Sequence, residues 1–486
     1  MPRRAWKPSS SAPRSPASAD RDGGGRQDLT QGPIASTLLL FAIPTLAANV
    51  LQSLNASINT VWIGRFLGER ALAATANASN ILFLIFSALF GCSMAAMILV
   101  GQHMGRRDVD GARRAVGAAA TLLLGISVVM MAIGIGLTDK LLHLLGTPAD
   151  AAPLASAYLK MMFWSLPFSA IMVLLMMTLR GIGDAMTPLW FMIVGIILDA
   201  GLNPFFIAGI GPFPEMGIVG SAMATLIANA VSTIGMLAVV YWRDLPIRLR
   251  GRELAYLLPG PALIRLIFGK GMMMGLQMFV LTAAALVMVG LVNQAGVIVT
   301  AAYGVAFQLW NYIQMPSMAV ASAVSAMAAQ NIGAGRWDRL GSITNIGLLY
   351  NFLMTGVLIA LLTLVDDHVL GLFLGAGSPA IGVAERIHLL ASWSFLFSGA
   401  TMVLLGTIRA NGIVLMPLII MIVGLFVCRL GFALFAQPWL HFDALWWAFP
   451  VGSIVSTALT WAYYRQGGWK KSALVEQAER AEHATA

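Results

Sequence analysis

Residues 66–110 read FLGERALAATANASNILFLIFSALFGCSMAAMILVGQHMGRRDVD, and residues 294–338 read QAGVIVTAAYGVAFQLWNYIQMPSMAVASAVSAMAAQNIGAGRWD. A shift of 228 superposes the two without a gap. Gly68 falls on Gly296, Ala73 and Ala74 on Ala301 and Ala302, and Ala78 on Ala306. Farther along, Gln102 falls on Gln330, Gly105 on Gly333 and Asp110 on Asp338. A second anchor needs almost the same shift: Arg180, Gly183 and Pro188 fall on Arg409, Gly412 and Pro417 at 229. Small residues match by chance in apolar chains, but two separate anchors sharing one offset point to an internal duplication. The offset covers six apolar segments. An even number returns the chain to the same side of a membrane, so the halves are parallel repeats about an axis along the membrane normal.

The apolar segments number twelve, at about 35–64, 71–103, 112–138, 153–180, 187–209, 217–242, 265–292, 297–330, 341–365, 380–408, 413–437 and 441–465. Each is long enough to cross a bilayer as a helix. Composition agrees: 58% of the 486 residues are hydrophobic, 10% are charged, and mean hydropathy is +0.81. So few charges cannot coat a water-facing chain of this size, which excludes a soluble enzyme and a disordered protein. The expected fold class is an all-α polytopic membrane protein, with two six-helix lobes enclosing a central V-shaped cleft.

The net charge of +9 reads first as a topology signal. With the N-terminus inside, about 24 cations fall on the inner side and 5 on the outer, leaving Arg429 inside a helix. Both termini are therefore expected in the cytoplasm, with the chain crossing the inner (plasma) membrane. The expected organisation is a disordered basic tail over 1–31, a first lobe over 32–242, a linker over 243–264, a second lobe over 265–466 and a tail over 467–486. Arg248, Arg250 and Arg252 in the linker serve topology or lie near anionic headgroups. Cys92 and Cys428 both lie in apolar segments, and the histidines form no ligand-spaced cluster, so no disulfide framework and no metal site is expected. No phosphate-binding G-x-x-x-x-G-K-[ST] loop occurs.

One carboxylate lies deep in an apolar segment, Asp199, within IVGIILDAGLNPFFIAG. A charge at the bilayer centre costs at least about 2.5–3.5 kcal/mol, which makes such a residue a functional candidate by default. Asn203 is four residues on, hence on the same helix face, and can donate to the carboxylate. Pro204 lacks an N–H and frees the carbonyl of Ala200. A carboxyl, an amide and a spare carbonyl on one bent helix suit a proton or small cation; the bland reading is a packing hydrogen bond. Gln52, Asn55 and Asn59 form a polar stripe on helix 1 that can orient Asp199. Pro44 and Pro204 are candidate hinges.

Aromatic, amide and thioether side chains supply candidate substrate contacts: Tyr158, Met161 and Trp164 on helix 4, Gln277 on helix 7, and Trp310, Asn311, Gln314 and Met315 on helix 8. Aromatic faces attract organic cations, and the flexible thioethers of a chain with 28 methionines suit a promiscuous apolar surface. Packing and interface belts account better for most of them, and Trp310, Asn311 and Gln314, polar or aromatic at mid-membrane depth, are the stronger candidates. Arg429 either snorkels, repels cations or pairs with an acid across the cleft.

IPTLAANVLQSLNASINTVWIGRFLG, GQHMGRRDVDGARR, RGIGDAMTP and MGIVGSAMAT in the first half, with AAYGVAFQLWNYIQMPSMAVASAVSAMAAQNIGAGRWDR and IRANGIVLMP in the second, resemble the multidrug and toxic compound extrusion (MATE) family over about residues 35–465. The resemblance implies an antiporter that exports amphipathic, often cationic compounds against entry of H⁺ or Na⁺. The chain is most similar to the DinF-like branch, which places coupling carboxylates on helices 1 and 5. It departs from that pattern twice. Asn59 stands where helix 1 usually has Asp, and in helix 5 the acid and the amide are exchanged, as Asp199 then Asn203-Pro204. Another branch uses a helix 7 Glu, where this chain offers Gln277. No cofactor beyond the coupling ion is expected, with H⁺ favoured over Na⁺. The expected partners are the bilayer and small amphipathic substrates, not nucleic acid, and the expected state is a monomer. The alternative is a flippase for lipids or lipid-linked substrates, which calls for a strongly cationic cleft; within the helices the sequence supplies only Arg429. An intramembrane enzyme needs paired acids, a nucleophile with its base, or metal ligands, and one isolated Asp supplies none of these.

Overall fold

A computed structural model of the chain describes residues 28–144, 147, 151–211, 213–375, 377–470 and 473–483. The first 27 residues of the expected basic tail, and residues 484–486, lie outside the described residues. The first half forms α1 (Ile34–Leu67), α2 (Glu69–Gly105), α3 (Val109–Leu144), α4 (Ala152–Gly181), α5 (Met186–Ala208) and α6 (Ile218–Trp242). The second forms α7 (Pro261–Asn293), α8 (Val297–Gly333), α9 (Trp337–Leu364), the short α10 (Asp366–Leu374), α11 (Ala380–Ala391) and α12 (Ser394–Arg409). Then come α13 (Leu415–Ile422), a π-helical stretch Val423–Leu430, α14 (Gly431–Leu440), α15 (Asp443–Gln466) and α16 (Leu474–His483). Among the described residues there is no strand.

Nine of these helices are apolar and long enough to cross a membrane, counting Leu415–Leu440 as one, and α11 with α12, bent by 45°, make a tenth. α8 and α15 have the length, at 37 and 24 residues, but are more polar along their course. With these two, the chain is consistent with twelve crossings. The duplication is visible in the backbone. Gly68 (φ 77°) and Gly296 (φ 96°) turn the chain into α2 and α8, and Gly183 (φ 93°) and Gly412 (φ 83°) turn it into α5 and α13. All four use left-handed φ values that glycine adopts without a Cβ clash. Gly335 (φ 72°) has Arg107 (φ 60°) as its counterpart, so the same turn is made there by a residue with a side chain.

The halves meet through α2 against α7 and α8, and α1 against α8. α2 and α7 touch backbone to backbone. A Cβ on Gly275 would lie 2.7 Å from the Ser87 carbonyl oxygen, and one on Gly271 would lie 2.7 Å from the Cys92 sulfur. Small residues four apart permit this approach. Gly275→Val overpacks the crossing and is expected to cost about 1–3 kcal/mol, read as a lower melting temperature of the purified protein.

One end of the bundle carries residues 28–31 and α16, and there the two lobes share a single core. Ala95, Leu99, Met327 and Val403 belong to one buried cluster that continues through the first lobe, whereas Met288, Tyr303, Trp310 and Trp446 form a separate cluster in the far half of the second. The contact at the terminal end repeats itself across the pseudo-axis. Gln102 Nε2 donates to the carbonyl of Ala410 at 2.6 Å, and its repeat mate Gln330 donates to the carbonyl of Gly181 at 2.8 Å. A shift of 229 carries Gly181 onto Ala410. Gly105 and Gly333 let the helix ends close: a Cβ on Gly333 would lie 2.7 Å from the Cα of Gln102.

The chain ends reinforce this contact. Gln330 Oε1 accepts the N–H of Leu29 at 3.2 Å, and Gln102 Oε1 accepts the N–H of Val475 at 2.8 Å. Leu29 is fully buried, and Asn331 donates to its carbonyl at 2.9 Å. Residues 28–31 therefore differ from the free tail expected of them: one leucine in a polar stretch is enough to dock it. The polar tail after 467 likewise forms α16, which buries Leu474, Val475 and Ala478 and pairs Glu479 with Arg106 at 2.7 Å. The linker is tied down on α3. Tyr256 donates to Asp110 at 2.5 Å, Arg113 pairs with Glu253, and Thr121 donates to the Leu257 carbonyl at 2.6 Å. The hydrogen bond to Asp110 raises the Tyr256 phenol above its ordinary range. Arg248 pairs with Asp244.

Candidate functional site

α5 carries Asp199 between α1 and α6. Asp199 is 2% exposed and Asn203 fully buried. Oδ2 of Asp199 accepts from Asn55 at 2.9 Å and from Asn59 at 2.8 Å. Oδ1 accepts from the Thr225 hydroxyl at 3.1 Å and from Asn203 at 3.2 Å. Four side-chain donors converge on one carboxyl, an arrangement that suits an anion, since a protonated acid would present its own O–H to some of them. The periodicity of a helix explains the convergence. Asn55 and Asn59 are one turn apart on α1, as are Asp199 and Asn203 on α5.

The cluster is over-subscribed on one side and under-used on the other. The Asn203 amide nitrogen lies within hydrogen-bond reach of three acceptors: the Asn59 oxygen at 3.0 Å, the Asp199 backbone carbonyl at 2.8 Å and the Asp199 carboxylate. It has two hydrogens, so one acceptor goes without. Meanwhile the side-chain oxygens of Asn55 and Asn203 are buried with no partner. The amide nitrogens of Asn55 and Asn203, not these oxygens, face the carboxylate, so both amides would have to turn over before the four groups could present oxygen alone. As built, the site fits a proton on the carboxyl more directly than a hard cation, because three amide N–H groups and a hydroxyl point at the carboxylate.

The structure brings some of the singled-out residues together and keeps others apart. Asn55, Asn59 and Asn203 surround Asp199, and Tyr158, half-buried, is near enough to interact electrostatically with it. Gln52 is exposed, outside this hydrogen-bonded group. The Asn203 amide bonds the Asp199 carbonyl, one position before the Ala200 carbonyl that Pro204 was expected to free. Pro44 and Pro204 both sit inside continuous helices. Met161 packs on the first-lobe core, and Trp164 is 55% exposed on the flank of α4.

On the second lobe, Gln277 and Trp310 are corrected as open-cleft contacts. Gln277 is 2% exposed with its amide on the Val414 carbonyl at 3.1 Å, so it ties α7 to the start of α13. Trp310 is 2% exposed, bonded to Ser392 at 2.8 Å and walled by Phe395 and Phe449. Amphipathic side chains at mid-helix read the same in sequence whether they face a cleft or a neighbour. Asn311 is exposed and Gln314 half-buried. Met315 lines an apolar cavity of about 600 Å³ with Leu46, Tyr312, Leu353 and Leu358, between α1, α8 and α9. None of the Asp199 partners lines that cavity.

Thr225 escaped the sequence reading. Its signal was present as Ser221, Thr225 and Asn229, polar at every fourth residue of α6. Asn229 donates to Ser169 at 2.9 Å, so the same stripe ties α6 to α4.

The chain matches the MatE family model twice, over residues 44–205 and 274–435, one match in each half. It belongs to the MATE family. It is a multi-pass membrane transporter and not an enzyme. Among MATE relatives, the "Probable multidrug resistance protein YoeA" of Bacillus subtilis (strain 168) is 32% identical over 90% of this chain and 94% of its own length. The "Probable multidrug resistance protein YpnP" of the same organism is 30% identical over 91% of this chain and 97% of its own. A solved structure described as an "Outward-facing conformation of a multidrug resistance MATE family transporter of the MOP superfamily" superposes with a TM-score of 0.84 at 20% identity. It covers 93% of this chain and all of the other, and at that identity shows the shared MATE fold alone.

Proposed function

We propose that this MATE chain is a multidrug efflux antiporter of the inner membrane. It exports amphipathic, often cationic organic compounds in exchange for protons, with both termini in the cytoplasm. The observation that carries the coupling is Asp199, a carboxylate at membrane depth held by four neutral donors with no basic partner among them. A proton or a substrate cation can neutralise it, so the two compete. The multidrug resistance names of relatives at 30% and 32% identity support the substrate class.

The clasp at the terminal end supports alternating access. With the termini inside, Gln102 and Gln330 hold the cytoplasmic end shut, while the far half of the second lobe packs around a core of its own. Protonation of Asp199 removes the charge that gathers α1, α5 and α6, and so biases the lobes between two openings. Small amphipathic compounds and the bilayer are the partners of this reading, the working unit is one chain, and H⁺ is the coupling ion.

Proteoliposomes test it. An imposed pH gradient should drive ethidium movement at equal Na⁺, and a Na⁺ gradient at equal pH should not. Ethidium movement driven by the Na⁺ gradient alone would overturn proton coupling. Thr225→Val, which keeps shape and removes one donor, should slow pH-driven transport about tenfold, the worth of one hydrogen bond to a charged group. An unchanged initial rate would remove Thr225 from the site.

A further inference from the structure

The second lobe carries a charge with no carboxylate partner among the described residues. Arg429 lies in the π-helical stretch Val423–Leu430, and its Nε is buried without a hydrogen-bond partner. Its guanidinium carbon lies 3.4 Å from the ring centroid of Phe449, which is 4% exposed. The Tyr303 hydroxyl, on a residue 3% exposed, also lacks a partner and interacts electrostatically with Arg429. These neighbours are interior, so the guanidinium faces into the lobe rather than snorkelling toward headgroups.

The duplication gives this position meaning. A shift of 229 carries Asp199 onto Cys428, next to Arg429. A π-helical turn holds one residue more than an α-helical one and advances the register by about that much. Arg429 thus stands where the second lobe repeats the Asp199 site, with the opposite charge. Gly452 on α15 makes room for it: a Cβ there would lie 2.7 Å from the Arg429 Cβ. Trp446 stacks on Tyr303 at 5.8 Å and 23°, so an aromatic wall flanks the two donors.

We propose that Arg429 and Tyr303 form a second-lobe site for the anionic group of an aromatic compound, a carboxylate or sulfonate. The guanidinium and the phenol O–H donate to the anion, and the rings of Tyr303, Trp446 and Phe449, 2–4% exposed in the resting packing, must part to admit its flat body. A guanidinium whose Nε is buried without an acceptor is costly, and an arriving anion relieves that cost. Transport of such compounds rests on the export reading above; binding does not.

Equilibrium dialysis of the full chain in nanodiscs, with 2-naphthoate and the matched cation 2-naphthylmethylammonium, separates the two. The wild type should bind 2-naphthoate. Arg429→Gln should weaken that binding about tenfold or more, as loss of a charge-assisted hydrogen bond does, and leave the ammonium unchanged. Arg429→Lys should retain part of it. Tyr303→Phe removes only the hydroxyl, should weaken naphthoate about threefold or more, and carries the test if Arg429→Gln does not fold. No naphthoate binding by the wild type, an unchanged constant in both Arg429→Gln and Tyr303→Phe, or equal loss for both probes would overturn the site. Failure of pH-driven ethidium transport in the wild type would instead sink the export reading and leave the binding result standing.

Discussion

Asp199→Asn proteoliposomes are expected to move ethidium no faster under a pH gradient than without one. The amide has the shape of the carboxyl but cannot take up or release a proton near neutral pH. Its NH₂ also replaces one acceptor, so either the Asn55 and Asn59 pair or the Thr225 and Asn203 pair faces a donor. Hydrogen bonds to a charged group contribute about 1.5–3 kcal/mol each. Removing the charge from membrane depth returns about 2.5–3.5 kcal/mol. With two donors losing their acceptor, about 3–6 kcal/mol is lost, and the return offsets roughly half or more of it. The variant should therefore still fold and insert with lower stability, and coupling should be lost beyond any fall in yield. Substrate exchange at equal pH on both sides separates these readouts: it should persist. Undiminished pH-driven transport in Asp199→Asn would sink the assigned role.

The second large effect is expected at the clasp. The double variant Gln102→Ala with Gln330→Ala removes four hydrogen bonds: one to each opposite lobe and one to each chain end. At a net worth of about 0.5–1.5 kcal/mol each, the closed terminal end loses roughly 2–6 kcal/mol relative to an open one, where the freed groups meet water. That is a shift of tenfold at the least in the balance between openings. Spin labels on the terminal ends of α2 and α8 read it directly. The parent should give one short distance, and the double variant should populate a longer one. A single unchanged short distance in the double variant would show that core packing, not the glutamines, holds the lobes. Transport should slow as well, because a cycle needs both closed states.

Much of this was legible in the chain. The offset of 228 fixed two parallel halves, and it reappears in the paired turns at Gly68 and Gly296 and at Gly183 and Gly412. Gln102 and Gln330 were visible as repeat mates, yet their reciprocal bonds across the lobes were not. Asp199 was legible because a lone acid in an apolar segment is costly. Its set of donors was only partly so. Asn203, on its own helix, could be placed by helical spacing, and the polar stripe on α1 pointed to Asn55 and Asn59. Thr225 could not be placed, since a threonine within a helix bonds its own preceding turn as readily as a neighbour.

Gln277, Trp310 and Arg429 mark the limit. Each is a polar or aromatic residue at membrane depth, and sequence cannot tell a cleft wall from a helix–helix seam. By itself the sequence determined the membrane class, the duplication and the one deep acid, because hydropathy, periodicity and charge cost are local properties of the chain. Which side chains meet across helices was decided only by tertiary packing. That packing closed Gln102 on Ala410, buried Trp310 against Ser392 and left Arg429 inside its lobe without an acid. Lateral rotation of a helix changes no composition but decides every contact it makes.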